Sequence, residues 1–466
     1  MNSITVRLNY QSDKPLYQQL YEYIKKEIIN GSFKNNSKLP SKRGLAAYLQ
    51  CSQNTVQTAY SQLLAEGYIT SRQRSGYYVS AIDGILNIKE DCEKKEIKNN
   101  EKYKYKYEFS HDGVDFDSFP FLIWRKILKD SINEYDHSLL KTGDPQGDEN
   151  LRRSIANYLH DSRGVNCTAE RIIISSGTEF LLQLLIQLFD EDYIYAIENP
   201  GYQKLNMIFK SSRAEYRPVA LDEYGLMPDE LLKSNADVVC ITPSHQFPTG
   251  TIMPVNRRIA LLNWAGDDLR RYIIEDDYDS EFKYAGRPIP SLQGLDTSDK
   301  VIYIGSFSKS LTPSIRISYM VLPKHLVRRY YEKLSFYICP VPAAEQKALN
   351  TFFEGGHFER HLNRMRNIYK AKREALVYEV NNLLPDVKIE GANAGLHIVL
   401  KINNGMTEQQ LVTSAKNSGI RVFGLSQYYF NLSVQNSTPS VLLGFATLKI
   451  DEIKKAVELL KKAWSN

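Results

Sequence analysis

Residues 301–322 read VIYIGSFSKSLTPSIRISYMVL. Two apolar runs, 301–305 and 317–322, have the length and β-branched content of buried strands. Between them lies a polar turn with one lysine, Lys309, and one arginine, Arg316. In open α/β sheets ligands bind just beyond strand C-termini, so the pattern reads as strand, functional loop, strand. A lysine near a cation and a phosphate is able to present a neutral amine to an aldehyde and form a Schiff base. Ser306 and Arg316 offer the hydroxyl and guanidinium to hold the phosphate that carries such an aldehyde. A surface lysine in a serine-rich loop is the plainer alternative, and the apolar flanks weigh against it.

Further apolar runs at 171–175, 193–197, 238–242 and 272–275 alternate with amphipathic helical patterns, which predicts an α/β domain with a largely parallel sheet. Strand-like runs at 397–402 and 441–446 and a final helix predict a smaller C-terminal subdomain from about residue 330. After 171–175 comes Ser176-Gly177-Thr178-Glu179, opening an apolar helix over 180–189. Free N–H groups at a helix start favour phosphate, although a tight turn accounts for this motif nearly as well. The run YIIEDDY (272–278) ends a strand in carboxylates. A pyridoxal ring needs a carboxylate at its pyridine nitrogen and a hydroxyl near its phenolic oxygen, and Asp276 and Tyr278 have that chemistry. Read as a metal site, Glu275, Asp276 and Asp277 have no histidine or second acidic motif behind them. Tyr202, in ENPGY (198–202), follows a strand and suits stacking on a flat cofactor.

The chain's 466 residues exceed one ordinary domain, and 42% hydrophobic with 24% charged residues exclude a largely disordered chain. No apolar run is long enough to span a membrane, and the N-terminus lacks a signal-peptide layout, so a cytoplasmic location is expected. Five scattered cysteines without a CxxC suggest neither zinc nor a disulfide framework. Charge is uneven: residues 1–80 hold ten Lys/Arg against four Asp/Glu, while the whole chain is only +5. A basic head on a near-neutral body suggests a polyanionic partner. Within 1–80, helical spacing of Leu16, Leu20, Ile24 and Ile28 ends at Gly31, and a short helix follows Pro40 and Ser41. Ser52 is a natural N-cap for a third helix. That helix buries Val56, Ala59, Tyr60, Leu63 and Leu64 and turns Gln53, Asn54, Thr55 and Gln57 outward. Two short strands around the turn 71–76 complete a winged helix-turn-helix. Amides and hydroxyls at a helix N-terminus suit major-groove base edges, and Arg43, Arg72 and Arg74 suit phosphates or the minor groove. Residues 81–107 are too polar to build a core and read as a linker, either a tether between movable parts or a plain connector. The body then runs over 108–466.

LPSKRGLAAYLQCSQNTVQTAYSQLLAEGYITSRQRSGYYV (39–79) resembles the GntR-type winged helix-turn-helix. That resemblance implies double-stranded operator DNA as partner, touched by Arg43, Ser52, Gln53, Asn54, Thr55, Gln57, Arg72, Arg74 and Gly76. SFSKSLTPSIRISYMVLP (306–323), IEDDYDSEF (274–282) and TPSHQFPTG (242–250), together with the rest of 110–465, resemble a fold-type I aminotransferase. The joined pair resembles the MocR-type regulators, and within them the branch responsive to γ-aminobutyrate. The resemblance implies a pyridoxal 5'-phosphate cofactor in Schiff-base linkage to Lys309. Asp276 would meet its ring nitrogen and Tyr278 its phenolic oxygen. Tyr202 would stack, and Gly177, Thr178, Ser306 and Arg316 would hold the phosphate. It implies a homodimer that senses an amine or amino-acid effector through an external aldimine, with Lys204, Gln427 and His245 on the effector side. Two departures stand out. Phe247 replaces the asparagine usual in working aminotransferases, and Lys204 and Gln427 replace two arginines that grip a carboxylate in the γ-aminobutyrate branch. Sensing of pyridoxal phosphate itself to control vitamin B6 synthesis, and genuine aminotransferase turnover, are the competing expectations.

Overall fold

Two serines begin the helices of the head as their hydroxyls predict. Ser41 Oγ accepts from Gly44 N (3.1 Å) at the start of Lys42–Tyr48, and Ser52 Oγ accepts from Thr55 N (3.0 Å) at the start of Gln53–Ala65. Each cap satisfies an amide that has no partner earlier in its helix. The computed structural model describes residues 6, 8–81, 104–132, 135–284, 290–384, 387–430 and 438–465. They fall into two compact units, one up to Lys102 and one from Tyr103.

In the first unit, Leu16–Ile29 and Gln53–Ala65 share a core of Leu20, Ile24, Ile28, Val56, Ala59, Tyr60 and Leu63. Leu64, expected in that stripe, is 39% exposed; the helix turns 100° per residue and carries it past the buried face beside Leu63. The wing pairs Ile69–Arg72 with Gly76–Val79, so the turn is shorter than the expected 71–76.

The second unit is built on an eight-stranded sheet in the order Ile172–Ser175, Ser318–Val321, Val301–Ser306, Tyr272–Asp277, Val238–Ile241, Tyr195–Asn199, Tyr216–Asp222, Gly225–Leu226. The strands from Val301–Ser306 to Tyr216–Asp222 are parallel. Ser318–Val321 runs antiparallel to both neighbours, because residues 307–317 return the chain without the long crossover a parallel pair needs. Tyr216–Asp222 was not expected as a strand; half-buried and carrying Arg217 and Pro218, it lacks the apolar signature of the inner strands. A four-stranded antiparallel sheet, ordered Val387–Glu390, His397–Ile402, Ser440–Gly444, Phe423–Gly424, forms the smaller part with helices His357–Leu383 and Ile450–Trp464. It begins later than residue 330, since Leu326, Tyr330 and Leu334 of Lys324–Leu334 pack with Ile302 of the large sheet.

The expected linker also ends early. Residues 82–103 lie outside the described residues, but Tyr107–Glu108 already pairs in parallel with Ile420–Arg421, and Tyr107 is buried. Among the described residues no helix is long and apolar enough to cross a membrane.

Candidate functional site

The C-terminal ends of Ile172–Ser175, Tyr195–Asn199, Val238–Ile241, Tyr272–Asp277 and Val301–Ser306 reach one edge of the large sheet, and a cavity of about 250 Å³ opens there. All eight side chains and backbones assigned to the cofactor (Gly177, Thr178, Tyr202, Asp276, Tyr278, Ser306, Lys309 and Arg316) line it, and so does Lys204.

Lys309 sits in the turn after Val301–Ser306 and donates from Nζ to the His111 carbonyl (2.6 Å). Burial pulls its pKa below the ordinary lysine value, against the opposing pull of Asp112 and Asp279. A lysine so placed yields a neutral amine more readily than an exposed one. Ser306 Oγ accepts from Ser308 N (3.1 Å) and bonds Ser308 Oγ (2.9 Å). Arg316, held at a left-handed φ of 51°, donates to the Ser176 carbonyl (3.3 Å) and to Glu179 Oε2 (3.0 Å). Gly177 caps the helix Thr178–Leu188 at φ 96°, and a Cβ there would collide with the Arg316 guanidinium. The absence of that carbon leaves room for an anion between helix start and arginine.

Asp276 closes the opposite wall. Its Oδ1 is sealed from solvent with no hydrogen-bond partner, and burial, reinforced by the Asp277 and Asp279 charges, pushes its pKa up to about 7. A buried carboxylate oxygen without a donor is costly, and a protonated ring nitrogen is the donor that would satisfy it. These features fit pyridoxal phosphate: an anion cradle, an amine and an orphaned carboxylate around one cavity. The neighbouring carboxylates are otherwise engaged. Glu275 accepts from Leu292 N (2.8 Å) and Gln293 N (2.9 Å), and Asp277 from Arg163 Nε (2.8 Å) and Tyr303 Oη (2.6 Å). Strand alternation points successive side chains to opposite faces, so Glu275, Asp276 and Asp277 do not form the metal cluster considered from sequence.

Two of the three residues placed on the effector side lie elsewhere. His245 is buried behind Tyr278: its Nδ1 meets Asp279 Oδ2 (3.0 Å) and the Tyr278 hydroxyl (3.1 Å), and Tyr278 donates to the His245 carbonyl (2.9 Å). Gln427 is exposed outside the cavity, its carbonyl accepting from Gln203 Nε2 (2.5 Å). Lys204 remains, 3.8 Å from Glu179 Oε1. Phe247, in the asparagine's place, is buried with its ring edge-on to Tyr202 (5.8 Å) and Tyr278 (6.2 Å). The cavity also takes in His111, Asp112, Glu179 and His397, to which the sequence reading gave no role.

In the head, Arg43, Ser52, Gln53, Asn54, Gln57, Arg72 and Arg74 are exposed, with Thr55 and Gly76 half-buried. Lys42 Nζ donates to Gln57 Oε1 (3.2 Å), linking the two short helices, and Arg72 lies over the Tyr78 ring (4.3 Å). Arg74 stands at the tip of the wing in a left-handed conformation, φ 58°.

Residues 16–79 match the family model for bacterial regulatory proteins of the gntR family, and 114–460 that for class I and II aminotransferases. The fold and site thus define a GntR-type DNA-binding head joined to a pyridoxal-phosphate aminotransferase-like body. The chain is 42% identical over 465 residues to the uncharacterized HTH-type transcriptional regulator YdeL of Bacillus subtilis, covering 99% of both. It is 31% identical over 478 residues to the probable rhizopine catabolism regulatory protein MocR of Rhizobium meliloti, covering 98% of this chain and 95% of that one. Pyrococcus horikoshii kynurenine aminotransferase superposes with a TM-score of 0.68 at 25% identity over 77% of this chain and 90% of its own. The chain belongs to the MocR-type family of transcriptional regulators, and its cofactor is pyridoxal phosphate.

Proposed function

We propose that this protein binds operator DNA as a homodimer and changes its hold on that DNA when a small amine enters the cavity at Lys309. The observation that carries the reading is the pairing, across one cavity, of the buried Lys309 amine with the partnerless Asp276 Oδ1. Bound pyridoxal phosphate supplies an aldehyde carbon that condenses reversibly with primary amines. Arg316, Ser306 and the Gly177–Thr178 amides hold the phosphate. Asp276 would keep the ring nitrogen protonated, Tyr202 would cover the ring, and Tyr278 would reach the phenolic oxygen only by turning its hydroxyl from the His245 carbonyl. Lys309 would supply the amine that holds the aldehyde and that an effector amine would have to replace. For regulation, the effector must favour one state of the dimer by a few kcal/mol.

On DNA, Ser52, Gln53, Asn54, Thr55 and Gln57 read base edges in the major groove, while Arg43, Arg72, Arg74 and the backbone at Gly76 meet phosphates or the minor groove. A dimer requires two half-sites. The buried apolar Phe247, where a hydrogen-bonding amide serves working aminotransferases, favours sensing over turnover. Lys309→Ala tests the scheme. The variant should stay folded and bind operator DNA, yet develop no visible absorbance with pyridoxal phosphate. Unchanged cofactor absorbance would refute the assignment.

A further inference from the structure

The charges around the cavity do not balance in the way an amino-acid effector needs. Among the described residues its cations are Lys309, Arg316 and Lys204. Lys309 is the amine and Arg316 the phosphate ligand in the function proposed above, on which this inference rests. Lys204 is the cation left for an effector carboxylate, but Glu179 lies 3.0 Å from Arg316 and 3.8 Å from Lys204. Phosphate on Arg316 leaves Glu179 to Lys204, so that cation is already countered. Gln427 brings neither a charge nor its side chain to the cavity.

The carboxylates tell the complementary story. Asp279 is held by His245 (3.0 Å) and Asp276 is reserved for the ring. Asp112 is different. It lines the cavity, its side chain is 67% exposed, and among the described residues its nearest counter-group is His111 Nε2 at 3.7 Å. Burial lowers the His111 pKa from its ordinary value, against the opposing pull of Asp112, which makes the ring a weak counter-charge. Asp112 also follows directly on the carbonyl that accepts from Lys309 Nζ. Apolar rings lie alongside: His111 packs against Phe247 at 5.2 Å and Phe423 at 4.9 Å. Methylene groups suit such a wall, and an ammonium suits both the ring faces and the carboxylate.

From this geometry we infer that the effector is an α,ω-diamine or related polyamine, with one amine exchanging at Lys309 and the distal ammonium held by Asp112. The chemistry balances: one primary amine replaces another at the same carbon, and the Lys309 amine is released without any oxidant or reductant.

Three probes of equal chain length isolate the distal end: 1,4-diaminobutane, 1-aminobutane and 4-aminobutanoate. Each is titrated by calorimetry into protein saturated with pyridoxal phosphate, with visible absorbance followed in parallel. The diamine should bind about fivefold tighter than the monoamine, a partly exposed charge pair's worth, and 4-aminobutanoate weakest. Added salt should narrow the gap. Asp112→Asn should level diamine and monoamine, and Asp112→Glu should restore the preference. Tightest binding of 4-aminobutanoate, an unchanged ranking in Asp112→Asn, or no binding of any probe by protein that does take up the cofactor would overturn the inference while leaving the cofactor assignment intact. Failure to take up the cofactor at all would remove both.

Discussion

Asp276→Asn should have opposite effects on the cofactor-free and cofactor-loaded protein. Carrying an aspartate from 3.8 to about 7 in the fold costs about 4 kcal/mol once it is ionised, at about 1.4 kcal/mol per pH unit. Because the folded value is raised, the cost is absent below about pH 4, grows as the pH climbs to 7 and is constant above. Asparagine removes the charge but leaves an amide in the same partnerless place, which returns about 1–3 kcal/mol of the gain. The net expectation is about 1–3 kcal/mol of added stability at pH 8, and no gain near pH 4. For a unit of this size that is a rise of about 1–4 °C in melting temperature. With pyridoxal phosphate the order reverses. Wild type gains about 2.7 kcal/mol at a hundredfold excess over Kd, whereas a neutral amide cannot keep the ring nitrogen protonated, and the variant gains little. Thermal melts at pH 5 and pH 8, each with and without cofactor, read all four quantities. A variant that melts below wild type at pH 8 without cofactor, or that keeps the full cofactor-induced shift, refutes the reasoning.

Gly177→Ala places a methyl group against Arg316 at φ 96°; it should cost about 1–3 kcal/mol and lower cofactor affinity at least about tenfold, measured by equilibrium dialysis. Glu179→Gln removes the carboxylate that competes with phosphate for Arg316, so cofactor affinity should rise about three- to tenfold by the same assay, charge-assisted bonds being the strong ones; weaker binding would count against Arg316 as a phosphate ligand. Arg43→Ala should weaken operator binding and reduce the salt slope by about one unit, as read from affinities at several salt concentrations; an unaltered slope takes Arg43 off the phosphate.

Much of this was legible in the chain because loops at strand ends keep their chemistry in short contiguous motifs. Lys309, Asp276, Tyr278 and Gly177 each come at or after the end of an apolar run and Arg316 just before one that runs the other way, and the sheet brings those ends together without further information. What escaped depends on contacts between distant segments. His245 lies in a motif loop, yet its burial against Asp279 and Tyr278 needs the packing of two strands. His111 and Asp112 follow a polar stretch with no strand signal, and the pairing of Tyr107–Glu108 with Ile420–Arg421, continued by the bonds of Phe109 to Arg421 and Gly444, places them at the cavity. Leu64 shows the limit of counting apolar residues in a helix: hydrophobicity alone does not tell a core position from its neighbour 100° away.

The bond from Lys309 to the His111 carbonyl has a mechanical consequence. Four residues before that carbonyl the backbone is stitched to Ile420, and residues 104–106 are the last described ones on the way back to the head. Any reaction that draws the Lys309 nitrogen away leaves the His111 carbonyl without that donor, two residues from Phe109, whose N–H donates to the Arg421 carbonyl (3.0 Å) and whose carbonyl accepts from Gly444 N (3.0 Å), so a change at one nitrogen falls on the segment that joins the cavity to the smaller sheet.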